Sequence, residues 1–254
     1  MEDKHPEDWF QPQLHLLTRR IVAVDVLSPY WRTGREFLQL RHAGMSIAGG
    51  SPPWEVTARI VAPCIRAIQA LKQNGHQHIA TCINVSWDWV SHRHNVEDAI
   101  SALHASGSPP YNIVVRIDDD VKLADPSQTA RNLQKLKRYG LSVEIDAFAP
   151  VIHGTEHLRH MPIDSARIDE SLFEKYKGDV RGSVILESFI EMLHKLGIQV
   201  TVEGVSTGDD LKLACRLKAD IAQGSFIATP MHLDRLTSSL NTRNRLTVAD
   251  ALRP

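Results

Sequence analysis

Short apolar segments alternate with amphipathic segments along most of the chain. Residues 11–17 and 21–27 are two apolar stretches separated by a polar turn, which predicts a β-hairpin. From Trp54 to Leu71 apolar residues recur at helical spacing, and Gly75 ends this predicted helix. Strand-like and helix-like segments then follow one another towards the C-terminus. This alternation is typical of parallel strands joined by helices, and it predicts an α/β barrel rather than a sandwich.

Further predicted elements complete this alternation. Predicted strands cover 78–85, 112–117, 141–146, 165–168, 198–202 and 220–227, and predicted helices cover 96–104, 184–196, 211–217 and the tail 235–254. Asp125 followed by Pro126 predicts another helix start, because aspartate caps helices well and proline suits the first helical position. Thr207 and Asp210 are expected to cap the helix that follows them. Residues 28–53, rich in glycine and proline, predict a long irregular connection.

Composition and charge narrow the class of protein. The 254-residue chain has 43% hydrophobic and 23% charged residues, enough to bury one core of barrel size or two small cores. The formal net charge is -1 and no long basic run is present. We therefore expect no direct binding of nucleic acid, because such binding depends on clustered positive charge.

Cysteine usage and apolar run length indicate the compartment. Cys64, Cys82 and Cys215 lie far apart and lack the spacing of a disulfide framework or a zinc site, so they predict buried free thiols in a reducing cytoplasm. Residues 1–9 are polar and acidic, unlike a signal peptide. No apolar run reaches the roughly 20 residues that a membrane helix needs. We expect a cytoplasmic protein without a membrane span.

Acidic residues follow two neighbouring predicted strands in the middle of the chain. Leu141, Val143 and Ile145 alternate with polar residues and lead to Asp146, and the short strand 165–168 leads to Asp169. Barrels and open α/β folds keep their chemistry at the carboxyl ends of parallel strands. The two aspartates are therefore expected at the functional end of the barrel.

The stretch 141–170 resembles the signature of the EAL domain, the cyclic di-GMP phosphodiesterase family. The family pattern is Asp-Asp-Phe-Gly-Thr-Gly-Tyr-Ser-Ser, then Leu-Pro-x-Asp, then Lys-Ile-Asp. The spacing from Asp146 through Met161-Pro162-Ile163-Asp164 to Arg167-Ile168-Asp169 matches without a gap, while the triplet that names the family reads Asp25-Val26-Leu27. The resemblance implies an EAL-type, TIM-like (β/α) barrel over about residues 10–231 of a single domain spanning 1–254, with 232–254 as a C-terminal tail or helix.

The resemblance also implies which positions held metal in the family. Members hydrolyse the dinucleotide with Mg²⁺ or Mn²⁺, which is held by oxygen ligands. The metal ion lowers the pKa of the attacking water. Carried over residue by residue, Asp25, Asn84 and Asp146 stand at ligand positions, Arg116 and Ala147 replace two further ligands, Asp119 stands at the glutamate that braces the following loop, Arg167 replaces the lysine, and Asp169, Glu203 and Gln223 are kept. Two ligand positions thus supply no oxygen, and one supplies a guanidinium that cannot lose its proton.

These substitutions suggest how the remaining charges are balanced. Arg116 and Arg167, expected on neighbouring strands, are placed to pair with Asp25, Asp146 and Glu203. The hypothesis is that an internal salt-bridge network replaces the metal. No cofactor is then expected, and the inherited residues Glu203, Arg167, Asp169 and Gln223 are vestigial rather than catalytic.

The resemblance leaves three functions open. The leading hypothesis is a catalytically inactive EAL-like regulator that binds another protein, with transcription and signalling factors as candidate partners. The second is a receptor that binds cyclic di-GMP without hydrolysis. Pro29 occupies the position of an arginine that contacts a phosphate of the dinucleotide, which leaves Arg32 and Gln223 as candidate ligand contacts. The third is an atypical phosphodiesterase that uses Mg²⁺ or Mn²⁺. A homodimer is compatible with all three.

Overall fold

Eight strands form one closed barrel in the computed structural model, which describes residues 8–27, 53–118, 126–146 and 156–242. The strands follow one another in sequence order around the barrel: β1 (Trp9–His15), β2 (Arg20–Leu27), β3 (Ala80–Val85), β4 (Ile113–Asp118), β5 (Ser142–Asp146), β6 (Ser165–Ile168), β7 (Gln199–Val202) and β8 (Ile221–Ala222). The predicted α/β barrel is confirmed. The expectations for Pro29, Arg32, Asp119, Asp125 and Ala147, for the connection over 28–52 and for the tail beyond 242 lie outside the described residues.

One strand of the barrel runs against the others. β1 pairs antiparallel with β2 on one side and with β8 on the other, while the six neighbouring pairs from β2–β3 to β7–β8 are parallel. The predicted hairpin joins β1 to β2, and Arg19 adopts a positive φ of 55° in its turn. β1 therefore closes the barrel and places Gln11 beside Asp25 in the register of the hairpin.

Helices connect the parallel strands. Those within the described ranges are α1 (Pro53–Gln73), α2 (Trp87–Ser91), α3 (Arg93–Ala105), α4 (Pro126–Tyr139), α5 (Glu156–His160), α6 (Glu170–Tyr176), α7 (Val180–Lys195), α8 (Gly208–Arg216) and α9 (Leu233–Thr242). The sequence pattern predicts α1, α3, α4, α7, α8 and, as part of the predicted tail helix, α9, but it does not predict α2 or α6. None of the helices in the described ranges has the length and apolar composition that a bilayer crossing requires.

Alternation along the strands separates two environments. On β4 and β5 the apolar residues Val115, Ile117, Val143 and Ile145 belong to the buried hydrophobic core, while polar residues occupy most of the alternate positions. Successive side chains of a strand point to opposite faces, so one face meets the helices and the other faces the inside of the barrel. The barrel interior is therefore lined by buried polar and charged side chains, which need partners.

Side-chain caps fix the starts of several helices. Thr207 and Asp210 form a reciprocal capping box at the start of α8, as predicted. Asp210 is also bonded to Lys177. Although burial opposes its negative charge, the hydrogen bonds from Lys177, Thr207 and Ser206 lower the pKa of Asp210 to about 2. Asp210 therefore stays ionised and holds its cap throughout the neutral range.

The last strand is shorter than the sequence pattern predicts. The prediction was a strand over 220–227, whereas β8 contains only Ile221 and Ala222. Gly224 lies so close to the backbone that an added Cβ would come within 2.1 Å of the carbonyl oxygen of Val205. The amide of Ile227 then donates to the carbonyl of Gly224 in a turn. The apolar pattern continues beyond β8, but this turn takes the chain out of the sheet.

The three cysteines are free thiols in the structure. Cys64 and Cys82 are buried, as expected, whereas Cys215 is only half-buried. Burial raises the pKa of Cys64 to about 12 and holds that of Cys82 well above its usual range. Both thiols therefore remain protonated at neutral pH, as expected for cysteines that pack as small apolar residues.

Gly182, in the first turn of α7, packs tightly against the backbone of the preceding helix. A Cβ at this position would lie 2.1 Å from the carbonyl oxygen of Tyr176, which is backbone and cannot rotate away. We expect Gly182→Ala to lower the free energy of unfolding by about 2–3 kcal/mol, because the preceding turn must shift. Urea unfolding measures this loss. Glu187→Ala, an exposed change in the same helix, should stay within about 0.5 kcal/mol of the wild type, and equal effects of the two would contradict the prediction.

Candidate functional site

Strand register places a row of polar side chains across the barrel interior. Asn84 on β3 pairs in register with Arg116 on β4, which pairs with Glu144 on β5, which pairs with Ser165 on β6. Residues in register on neighbouring strands share a face of the sheet, so their side chains meet. Asp146, two positions after Glu144, lies on the same face at the carboxyl end of β5.

Arg116 occupies the centre of this row. Its Nε donates to Glu144, and its Nη1 donates to Asp25 on β2. Nη1 also lies 3.5 Å from the side-chain oxygen of Asn84. Only 1% of Arg116 is exposed. Two strands on opposite sides of β4 thus contribute carboxylates to a single buried guanidinium.

Arg167 forms a second centre one layer closer to the strand ends. Its Nε and Nη2 donate to the two oxygens of Asp146 at 2.6 and 2.7 Å, a bidentate pair. Its Nη1 donates to Asp25 at 3.2 Å and to Glu203 at 3.3 Å. The sequence interpretation that Arg116 and Arg167 stand on neighbouring strands is wrong, because β5 lies between β4 and β6. Asp25 bonds to both arginines, whereas Glu144 and Asp146 on β5 each bond to one of them.

Asp25 joins the two arginines to the last strand. One of its oxygens accepts from Arg116, and the other accepts from Arg167 and, at 3.1 Å, from the amide of Gln223. Gln223 also donates to Gln11 at 3.0 Å and accepts from Gln13 at 3.0 Å. Hydrogen bonds therefore run from the first strands of the barrel to the residue that follows β8.

Both guanidinium groups stay charged in this interior. For Arg116, burial opposes the charge, but Asp25 and Glu144 outweigh burial and hold its pKa well above the usual range. For Arg167, burial and the repulsion from Arg116 oppose the charge, but Asp146, Glu203 and Asp25 raise its pKa. Four carboxylates face two guanidiniums, and Glu203 is the most exposed of them, with 20% of its side chain accessible.

The donor set does not fit a pair of divalent cations. Mg²⁺ and Mn²⁺ require oxygen ligands, whereas arginine offers only N–H donors. Here guanidinium groups engage Asp25 through both of its oxygens and Asp146 through both of its oxygens. Within the described residues no three His, Cys, Asp or Glu side chains are arranged to hold a metal ion.

The structure brings together most of the residues that the sequence singled out. Asp25, Asn84, Arg116, Asp146, Arg167, Glu203 and Gln223 lie in one connected cluster. Asp169 does not join it, because its carboxylate caps α6 by accepting from the amide of Leu172 at 3.0 Å and from Ser171 at 2.9 Å. In this structure Asp169 is the N-cap of α6, a structural role that is compatible with its prediction as a vestigial residue.

Glu144 is the member of the cluster that sequence reasoning missed. It is 3% exposed, and its second oxygen accepts from Ser165 at 3.1 Å and from Thr201 at 3.4 Å. A signal was available, because a glutamate between Val143 and Ile145 in a buried strand needs a partner, and it shares a face with Asp146. On β5 the family pattern begins at Asp146 and does not include Glu144.

Comparison with known proteins identifies relatives of this chain. The family model described as EAL domain matches residues 1–230. The cyclic di-GMP phosphodiesterase NbdA of Pseudomonas aeruginosa is 24% identical over 242 residues, which are 94% of this chain and 31% of NbdA. The cyclic di-GMP phosphodiesterase RocR of the same species is 25% identical over 155 residues, which are 61% of this chain and 40% of RocR. The chain thus spans well under half the length of these curated relatives.

Solved structures show the same barrel. The EAL domain of Mycobacterium smegmatis DcpA superposes with a TM-score of 0.74 at 21% identity, covering 95% of this chain and 98% of that one. A manganese and cyclic di-GMP complex of Klebsiella pneumoniae BlrP1 gives a TM-score of 0.73 at 17% identity, covering 92% of this chain and 58% of that one. These similarities establish an EAL-type (β/α) barrel.

The buried pair of Arg116 and Glu144 allows a direct test of the network. We expect Arg116→Met to lower the free energy of unfolding by about 3–5 kcal/mol, because it strands Asp25 and Glu144 without their shared partner. Glu144→Gln should be less costly, and the double variant should lose clearly less than the sum of the single variants. Urea unfolding of the four proteins measures this coupling.

A surface arginine serves as the control for these four unfolding measurements. Arg93 pairs with Glu97 at 2.8 Å on exposed α3, and its side chain is 73% accessible. Arg93→Met should change the free energy of unfolding by no more than about 0.5 kcal/mol, because exposed ion pairs contribute little. Strict additivity of Arg116→Met and Glu144→Gln would contradict the geometry described for the barrel interior.

Proposed function

We propose that this chain, which belongs to the EAL domain family, is a regulator that does not hydrolyse cyclic di-GMP and that acts by binding another protein. The observation that carries the proposal is the position of Arg116, a permanent cation bonded to Asp25 and Glu144 where the family pattern has a metal-binding glutamate. Because the fold alone does not fix the function, we infer that a barrel without this chemistry acts by binding. Transcription and signalling factors are the partner classes that we propose.

The chemistry of phosphodiester hydrolysis supports the inactive state. Hydrolysis at neutral pH needs a metal-activated water and a group that accepts its proton. In the family pattern a lysine stands at position 167, whereas Arg167 here donates to Asp146 through two bonds and contacts Glu203. A guanidinium cannot accept a proton at working pH. Position 116 therefore offers no oxygen ligand to a metal ion, and position 167 offers no group that could accept a proton.

Restoring the two lost ligand residues should not restore turnover. We expect the wild type and the Arg116→Glu/Ala147→Asp variant to form no linear dinucleotide from cyclic di-GMP with Mg²⁺ or Mn²⁺, because Arg167 still holds Asp146 and Glu203. Chromatography of the reaction mixture measures the product. The phosphodiesterase RocR in the same buffer serves as the positive control. Metal-dependent product from the wild type would refute the proposal itself, and product from the double variant alone would refute the role given to Arg167.

Calorimetric titration separates the binding alternatives. Cyclic di-GMP is titrated into the full chain with Mg²⁺, with Mn²⁺ and without a divalent ion, and the mixture is then checked for product. Absence of binding in all three conditions is the result expected for a regulator that recognises a protein alone. Tight binding without product would replace this proposal by the receptor function, in which cyclic di-GMP controls partner binding.

A further inference from the structure

We propose that Arg116 and Arg167 are built-in cations of this barrel, which pair with its buried carboxylates in place of divalent metal ions and make its stability independent of Mg²⁺ and Mn²⁺. This role concerns the folding of the barrel and is separate from whether a nucleotide or a protein binds to it. It shares with the proposed function the position of Arg116. The tests therefore use metal binding and thermal stability without any nucleotide.

Each of the two arginines bridges carboxylates from different parts of the barrel. Arg116 connects Asp25 to Glu144, and Arg167 connects Asp25 to Asp146 and Glu203. Asp25 is 1% exposed and has each oxygen bonded to a different guanidinium. A divalent ion at Asp25 would have to displace at least one of these fixed donors. Each displaced guanidinium would then lose its own buried partner, which is costly.

Burial explains why the cations are needed for folding. Asp25, Glu144 and Asp146 are at most 5% exposed, and uncompensated carboxylates at such depth oppose folding strongly. A metal ion can relieve this repulsion only when it is bound, whereas an arginine side chain is always present and always charged. The barrel therefore carries its compensating charge in its own sequence, on β4 and β6.

Glu144 indicates that this compensation is adapted to the arginine. It lies directly across from Arg116 in register, and it accepts from Ser165 and Thr201 through its other oxygen. Glu144 thus has partners on β4, β6 and β7. Its carboxylate adds a second negative partner to Asp25, so Arg116 is bonded to two acids rather than to one.

The experiment compares metal responses of the full chain with and without Arg116. Thermal unfolding of the wild type, Arg116→Gln and Arg116→Gln/Glu144→Gln is followed in EDTA, in Mg²⁺ and in Mn²⁺, and Mn²⁺ binding is titrated calorimetrically. Arg93→Gln, at an exposed arginine, is the matched control. We expect the melting temperatures of the wild type and Arg93→Gln to be the same in all three buffers.

Removal of the built-in cation should make the barrel respond to metal. Arg116→Gln should melt well below the wild type in EDTA and regain about 5 °C or more in saturating Mn²⁺, because a ligand that binds only the folded state stabilises it. Glu144→Gln in the same chain should reduce this gain, since it removes one of the stranded carboxylates. Mn²⁺ binding or stabilisation of the wild type would overturn the proposal, as would an Arg116→Gln protein that folds and shows no metal response.

A second variant covers the case in which Arg116→Gln does not fold in any buffer. Arg167→Gln removes the bidentate guanidinium partner of Asp146 and the guanidinium contact of Glu203, and it is taken through the same titrations. Its stabilisation by Mn²⁺ supports the proposal, and its indifference to Mn²⁺ overturns it. Indifference of the folded arginine variants to Mn²⁺ would overturn the role of the two cations and leave the absence of hydrolysis untouched, so a failure of this proposal is distinguishable from a failure of the proposed function.

Discussion

Pairing of buried charge is the constraint on which this barrel depends. A carboxylate or guanidinium removed from water is tolerated only when an opposite charge and hydrogen bonds replace the lost hydration. Arg116 and Arg167 meet this requirement for carboxylates on β2 and β5 and for Glu203 after β7. Because Asp25 bonds to both arginines and to Gln223, the same contacts connect the first strands of the chain to the last. The charge network thus also links the two ends of the strand sequence where the barrel closes.

The rest of the fold follows from what surrounds this polar interior. The outward faces of the strands carry the apolar residues, which pack against amphipathic helices such as α7, where Leu186, Ile190 and Leu193 are buried. Apolar burial of this kind is non-directional and supplies most of the stability of a globular fold. It does not specify which polar residues occupy the interior. The interior can therefore change its chemistry while the barrel and its helices stay the same.

The independence of the apolar packing from the polar interior explains how an EAL barrel can carry different side chains at its centre. Strand register fixes the row from Asn84 through Arg116 to Glu144, whatever side chains stand there. A substitution in this row changes the charge at a defined point of the site and leaves the backbone geometry in place. Similarity of fold to metal-bound structures such as BlrP1 therefore does not decide whether this chain binds a metal ion, because metal binding depends on its own side chains.

The sequence by itself determined the order of strands and helices, because periods of 2 and 3.6 residues and caps such as Thr207 with Asp210 are local signals. It also indicated Arg116 and Arg167 as partners for acidic residues, because both arginines replace other residue types of the family pattern. Only the tertiary structure decided that β5 lies between the two arginines, that Glu144 is a second acidic partner of Arg116, that Asp169 caps α6 and that β8 ends at Ala222. These outcomes depend on strand register and on backbone approaches such as that of Gly224 to Val205, which join residues far apart in sequence and leave no periodic trace along the chain.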